Sequence, residues 1–377
     1  MDFKNGRIFT EDFRFVLGAF SVEEGRFADV LGEEKPGAVD LEGAYVIPGL
    51  VDMHTHGNSG ADTSDGDEAG LRRMAAYLGK NGVTSFAPTS MTVAYETLEQ
   101  AFTVVRRVKE HPDKGSAHIQ GINMEGPFFS EKKKGAQNPA YLKDPDFEAF
   151  RRLNESCGGL VKVVDVAPEL PGAVEFAKQA SRECLVSIAH TDCTYEEAVA
   201  FLEAGGSHMT HLYNAMPGIH HRNPGPIGAG SERDNVTAEL ISDGFHIHPS
   251  AVRMAFKLFP GRICLISDAM RACGMAEGES FDLGGQQVTI KNGTAVLPDG
   301  TIAGSTTHLF DCMVRAISFG IRVEEAVRSA TWNPAQALGC LGEVGSIANG
   351  KRADFVVCGR DFARKAVYLD GEEVCAG

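Results

Sequence analysis

The sequence predicts an α/β chain: a TIM-like (β/α)8 barrel plus a small β-sandwich domain formed from both termini. Three observations predict it. Between residues 49 and 344, short apolar strands alternate with amphipathic stretches, the mark of parallel βαβ units. Eight strand candidates can be counted there, the number that closes a barrel. The two ends, residues 1–48 and 345–377, instead consist of short β-prone pieces, and chain ends commonly lie close together.

Taken in order, Lys4–Phe9, Arg14–Ala19, Arg26–Leu31 and Ala38–Leu41 read as short strands separated by Gly and acidic turns, as at Asn5-Gly6 and Glu24-Gly25. The barrel strands are Gly49–His56, Val83–Pro88, His118–Glu125, Leu160–Ala167, Leu185–His190, Ser207–His211, Thr237–Asp243 and Ile263–Asp268. Helical spacing of apolar residues marks Ala69–Asn81, Tyr95–Glu110, Pro145–Ser156, Pro171–Arg182, Tyr195–Ala204 and Pro249–Leu258. Phe281–Pro298 alternates like a β-hairpin with Asn292-Gly293 as its turn, an insertion before the final barrel helix, His308–Phe319. A helix over Val323–Leu338 leads back to the small domain, with β pieces at Gly345–Ile347, Ala353–Val357 and Ala366–Leu369 and a turn at Asp370-Gly371. A doubly wound sheet is the rival, but it carries a Gly-rich phosphate loop after its first strand. Here that strand ends in His54-Thr55-His56.

The composition excludes several function classes. With 377 residues, 43% hydrophobic and 23% charged, the chain can bury a large core. A formal net charge of −15 argues against nucleic acid or an anionic membrane as partner. Apolar stretches such as Ala44–Met53 are broken by Pro and Gly and fall short of the roughly 20 residues of a spanning helix. The amino terminus lacks the pattern of a secretory signal. Nine cysteines without a C-x-x-C pair read as reduced thiols, so the expected location is cytoplasmic.

The active site of such a barrel lies at the carboxyl ends of its strands. The last polar residues of the eight runs are His54 and His56, Thr89, Glu125, Glu169, His190, His211, Asp243 and Asp268. His54 and His56 are two apart on a strand, so both imidazoles face the same way. Imidazole suits Zn²⁺, and also Fe²⁺, Co²⁺ or Mn²⁺. Glu125 could bind one metal or bridge two, although a lone Glu there is more often capping or solvated. His190 and His211 each close an apolar run, where a satisfied core histidine is the commoner role. His208, three residues before His211, faces away from it and reads as structural. Asp268 can take a proton from a metal-bound water and pass it on, or can orient a histidine. His220-His221-Arg222 is the densest cationic cluster of an acidic chain, suited to phosphate or to an ordinary surface loop. Lys132-Lys133-Lys134 reads as a solvated face.

The series His54, His56, Glu125, His190, His211 and Asp268 resembles the amidohydrolase superfamily of metal-dependent hydrolases. Many members bridge two metals with a carboxylated Lys at the fourth strand. This chain has none there, since Lys162 lies too early, and the bridging role falls to Glu125. Longer stretches are similar to the family of N-acetylglucosamine-6-phosphate deacetylases. They are Pro48-Gly-Leu-Val-Asp-Met-His-Thr-His-Gly, Asn123-Met-Glu-Gly-Pro-Phe, Lys134-Gly-Ala-Gln-Asn-Pro and His211-Leu-Tyr-Asn-Ala-Met-Pro. His221-Arg-Asn-Pro-Gly, Ser242-Asp-Gly-Phe-His, Ser267-Asp-Ala and Ile302-Ala-Gly-Ser continue the match in order to the far end of the barrel.

That resemblance implies an amidohydrolase-type barrel that deacetylates N-acetylglucosamine 6-phosphate in amino-sugar catabolism and recycling. Glu125, His190 and His211 would hold the metal that all members keep. His54 and His56 would fill a second site, so one or two divalent metals are expected, Zn first. Asp268 would be the general base and then acid. Ala136, Gln137, Asn214 and Ala215 would meet the substrate. Gln137 stands where some members have His, and its amide can donate a hydrogen bond but cannot carry a proton. Arg222 and His246 would bind phosphate, one or both reaching the neighbouring subunit's site of a homodimer. Ile302, Ala303 and Gly304 would line the sugar pocket, with Asp243, Gly244 and Phe245 at its rim. Two alternatives stay open: an amidohydrolase acting on another amide or cyclic amide, and a catalytically silent sugar-phosphate-binding barrel.

Overall fold

A computed structural model describes residues 1–283, 286–291, 294–298, 300 and 304–376. Its barrel wall is built from eight strands, Leu50–Thr55, Val83–Pro88, Ile122–Phe128, Val161–Val166, Leu185–Ile188, His208–Met209, Thr237–Ile241 and Ile263–Ile266. The last six lie side by side in chain order, all parallel. Leu50–Thr55 pairs in parallel with Val83–Pro88. Bridges Thr89 to Asn123 and Thr55 to Ala269 join the two groups at both seams and close the ring. Every residue of Leu50–Thr55 and Ile122–Phe128 is buried, because helices cover the outside while side chains fill the inside.

Helices pack around this wall where the apolar spacing predicts them, and their starts are capped. Asp67 accepts from the backbone N–H groups of Ala69 and Gly70 ahead of Glu68–Lys80. Thr194 and Glu197 form a reciprocal capping box at Tyr195–Glu203. One helix, Gly225–Ser231, falls where the sequence reads as loop, since Gly-Pro-Ile-Gly-Ala-Gly-Ser has poor helix propensity. Packing overrides propensity there. A Cβ at Gly230 would stand 2.3 Å from Met209 Sδ, so any larger residue there would make the Met209 side chain move.

Both chain ends share one sheet, in the order Glu372–Ala376, Arg364–Leu369, Phe355–Cys358, Tyr45–Pro48, Asp2–Phe9, Phe15–Glu23, Arg26–Gly32, with Val39–Asp40 beside Asp2–Phe9. Phe355–Cys358 shows how this unit seats on the barrel. Phe355 and Val357 enter a separate core with Phe3, Phe20 and Phe27, whereas Val356 and Cys358 face the barrel cluster. Period-two alternation thus serves two cores from one strand.

Several expectations are corrected. Asn5-Gly6 is not a turn: Asn5 has φ 55° within a strand whose register shifts there, as in a β-bulge. Gly345–Ile347 forms no strand, and the expected helix Val323–Leu338 breaks at Thr331 into Val323–Ala330 and Trp332–Ala337. The run His118–Glu125 splits into His118–Ile119 and Ile122–Phe128, and Ser207–His211 is a strand only over His208–Met209. The insertion has three antiparallel strands, not two: Ser280–Leu283, Gln286–Lys291 and Thr294–Val296. Its expected turn Asn292-Gly293 lies outside the described residues, as do Ile302 and Ala303. Among the described residues no helix is long and apolar enough to cross a membrane.

Candidate active site

The strand ends converge. His54 lies on the first barrel strand, with His56 just beyond it. Glu125 comes from the third, and His190, His211 and Asp268 lie just past later strands. Three of these turn out of the strand conformation with positive φ: His190 at 43°, His211 at 30° and Asp268 at 46°. Such left-handed backbone is sparsely populated by non-glycine residues and persists only where its surroundings enforce it.

Glu125 is the hub. Its Oε1 lies 3.1 Å from His211 Nε2, 3.3 Å from His190 Nε2 and 3.6 Å from His54 Nε2. Its Oε2 lies 3.2 Å from His56 Nε2. Asp268 Oδ1 stands 3.4 Å from His56 Nε2 and 3.6 Å from His54 Nε2. His190 Nε2 and His211 Nε2 are only 3.1 Å apart, and His54 Nε2 and His56 Nε2 3.4 Å. Ring nitrogens that face one another around a carboxylate fit a shared cation. Two overlapping donor sets are present, His54–His56–Glu125 and Glu125–His190–His211, all buried, so the residues fit one divalent metal or two bridged by Glu125.

Electrostatics point the same way. Burial opposes charge on Glu125, but the charge of His56 and hydrogen bonds from His190, His211 and His56 hold its carboxyl well below the usual range. Burial likewise opposes charge on His56, yet Glu125 and Asp268 push its pKa up to about 10. A cation held there would compete with that proton.

The cluster is braced from behind by groups the sequence reading missed. His54 Nδ1 meets Glu239 Oε2 at 2.8 Å, and the same oxygen accepts the His211 backbone N–H at 3.1 Å. Glu239 Oε1 lies 3.3 Å from His208 Nε2, so His208 supports the carboxylate and is no part of either donor set. A Glu in the middle of the apolar run Thr237–Ile241 was the available signal, since a buried carboxylate needs partners. His190 Nδ1 meets the Lys133 carbonyl at 2.9 Å, so the basic run contributes a backbone acceptor. Glu169 turns away to accept from Thr191 and Asp192, and Thr89 Oγ1 accepts the Thr55 N–H.

The cluster opens into a cavity of about 340 Å³. Ala136, Gln137, Asn214, Ala215, His246 and Gly304 line it, joined by Met91, Gly135 and Met270, which the sequence did not single out. Gln137 is committed at both ends, accepting from the Thr92 N–H at 2.8 Å and donating to Glu125 Oε2 at 2.6 Å. Asp243, Gly244 and Phe245 are outside the lining. Asp243 Oδ2 instead holds His246 Nδ1 at 2.7 Å. Burial disfavours charge on His246, but Asp243 outweighs it and raises the imidazole pKa. Arg222 is exposed, with its guanidinium 2.8 Å from His221 Nε2, and does not line this cavity. A larger cavity of about 490 Å³ lies where the sheet unit meets the barrel. Its cations are engaged by the protein itself, Arg26 with Glu343 and Lys109 with the Ile119 carbonyl.

Comparison with known proteins agrees with this geometry. The model of the amidohydrolase family matches residues 45–374. The N-acetylglucosamine-6-phosphate deacetylase of Bacillus subtilis is 35% identical, over 95% of this chain and 93% of its own. The N-acetylgalactosamine-6-phosphate deacetylase of Escherichia coli is 32% identical, over 88% of each chain. Among solved structures, a mutant of N-acetyl-D-glucosamine-6-phosphate deacetylase from Mycobacterium smegmatis, in complex with N-acetyl-D-glucosamine-6-phosphate, superimposes with a TM-score of 0.91. It is 32% identical and covers 100% of this chain and 98% of that one.

Proposed function

This chain belongs to the amidohydrolase family, and from that premise we propose that it hydrolyses the acetamide of N-acetyl-D-glucosamine 6-phosphate to D-glucosamine 6-phosphate and acetate. It is a metal-dependent amide hydrolase of amino-sugar catabolism and recycling. The observation that carries this reading is the convergence of His54, His56, Glu125, His190, His211 and Asp268 on one buried cluster, all but His54 lining the cavity.

Glu125, His190 and His211 would hold one divalent ion, and His54, His56 and Glu125 are the residues that would hold a second. The imidazole-rich set favours Zn²⁺, with Fe, Co and Mn as alternatives. When bound, such an ion supplies Lewis acidity to the amide carbonyl and to a water molecule. Asp268 takes the proton of the attacking water and delivers it to the departing amine nitrogen. Burial opposes its charge, but the His56 hydrogen bond and the charges of His54 and His56 keep its carboxyl low, in the form that accepts a proton. Asn214, Ala215, Ala136 and Gly304 position the sugar.

His246, held by Asp243 and biased toward its cation, faces the phosphate. Asp243 holds His246 from outside the cavity lining. Arg222 sits on the exposed loop and supplies its guanidinium to the partner's site in a homodimer. Buried thiols such as Cys157, Cys264, Cys312 and Cys358, in no disulfide, fit a cytoplasmic enzyme. Acetate release from N-acetylglucosamine 6-phosphate, with unphosphorylated N-acetylglucosamine in parallel, tests the proposal. Release from the phosphate ester alone supports it. Release from neither, with metal bound, points to another amide or cyclic amide, or to a silent sugar-phosphate-binding barrel.

A further inference from the structure

The two oxygens of Glu125 are not equivalent. Oε1 faces His190 and His211 and lies 3.6 Å from His54 Nε2, whereas Oε2 faces His56 at 3.2 Å. The terminal torsion of a Glu side chain is soft and roughly two-fold, so the carboxylate does not hold such an orientation unaided. Gln137 Nε2 meets Oε2 at 2.6 Å, a short charge-assisted contact. The amide cannot be turned the other way, because its Oε1 accepts the Thr92 backbone N–H at 2.8 Å. Reversal would set oxygen against carboxylate and NH2 against N–H. The residue is 3% exposed, so water does not replace these bonds.

We propose that Gln137 is a positioning residue for the second metal position: it holds Glu125 Oε2 toward His56 and thereby selectively strengthens cation binding on that side. This rests on the reading that the site takes two ions. A neutral amide suits the task. It occupies one lone pair of Oε2 and leaves the other for a cation, without the positive charge that would compete with one. Loss of a group that orients a ligating side chain typically weakens metal affinity by about 10–100-fold. Here that loss falls on one ion only, because the Oε1 side is held independently by His190 and His211.

The experiment titrates metal-free protein with Zn²⁺ against a competing chelator and reads equivalents bound and the affinity of each step. The wild-type chain, Gln137→Leu and Gln137→His are compared. Leucine keeps the bulk and removes the donor. An imidazole Nε2 stands as many bonds from the backbone as the amide Nε2, so histidine restores a donor of similar reach. The expected result is two steps in wild type, a second step about 10–100-fold weaker in Gln137→Leu with the first unchanged, and recovery in Gln137→His. Wild-type affinities at both steps in Gln137→Leu overturn the inference, and so does an equal loss at both, which would mark a merely structural residue. A wild-type chain that saturates with one ion overturns the two-ion reading itself and the inference with it.

Discussion

His54 Nδ1 lies 2.8 Å from Glu239 Oε2, and that same oxygen accepts the backbone N–H of His211 at 3.1 Å. One buried carboxylate therefore fixes a residue from each of the two donor sets. Burial opposes its charge, but the charge and hydrogen bond of His54, with the His208 imidazole close by, hold its carboxyl far below the ordinary range. Glu239→Gln keeps the shape but removes the charge that polarises His54. Metal affinity is expected to fall by about 10–100-fold, read by chelator competition, with the fold retained by circular dichroism. Unchanged affinity would remove Glu239 from the metal-holding apparatus.

Asp268→Asn removes the proton acceptor while keeping the side-chain volume. General acid–base catalysis contributes about 10²–10⁴-fold, so turnover should drop by about that factor or more. Metal content should be unaltered. A variant that kept most of its kcat would show that Asp268 does not move the proton.

The role proposed for Arg222 separates binding from chemistry. A hydrogen bond to a charged group contributes about 1.5–3 kcal/mol, so Arg222→Ala should raise KM for the phosphorylated substrate by about 10–150-fold and leave kcat within a few-fold. Mixing Arg222→Ala with Asp268→Asn adds a sharper reading. If Arg222 serves the partner's site, mixed dimers hold one site with both lesions and one intact, so activity returns. No recovery on mixing would place Arg222 at its own subunit's site.

Stability should depend on pH through a carboxyl that does not line the candidate site. Asp354 is fully buried, with its Oδ1 accepting the Asp370 N–H at 2.8 Å and Oδ2 without a hydrogen-bond partner among the described residues. Burial pushes its pKa up to about 7 from the usual 3.8. The folded state thus keeps a proton that the unfolded state has released between these two values. Stability from this group is full below about pH 4, declines as pH rises, and levels above about pH 7, a loss of up to about 4 kcal/mol. Asp354→Asn should flatten the fall in Tm over that range and melt higher than wild type at pH 8. A wild-type Tm that rose steadily from pH 4 to 8, with the variant parallel to it, would contradict the assignment.

What the chain determined by itself is periodic or local. Alternation put His54 and His56 on one face, because successive strand residues point oppositely. Asp370-Gly371 is the turn its residues require, with φ of 51° and 75° closing the hairpin between Arg364–Leu369 and Glu372–Ala376. Apolar runs ending in His190, His211 and Asp268 located a site at one end of a barrel. The tertiary structure alone decided which groups share an oxygen. Glu239 is 185 residues from His54, and Gln137 is 12 from Glu125 with no periodic relation to it. Gly225–Ser231 is helical despite its poor propensity, with Gly230 packed closely against Met209. Such contacts depend on barrel closure bringing separate strands to one axis, and on close packing that chooses the side chains facing each other there. Neither has a signature in local sequence, since a pairing between distant residues is a property of the closed fold.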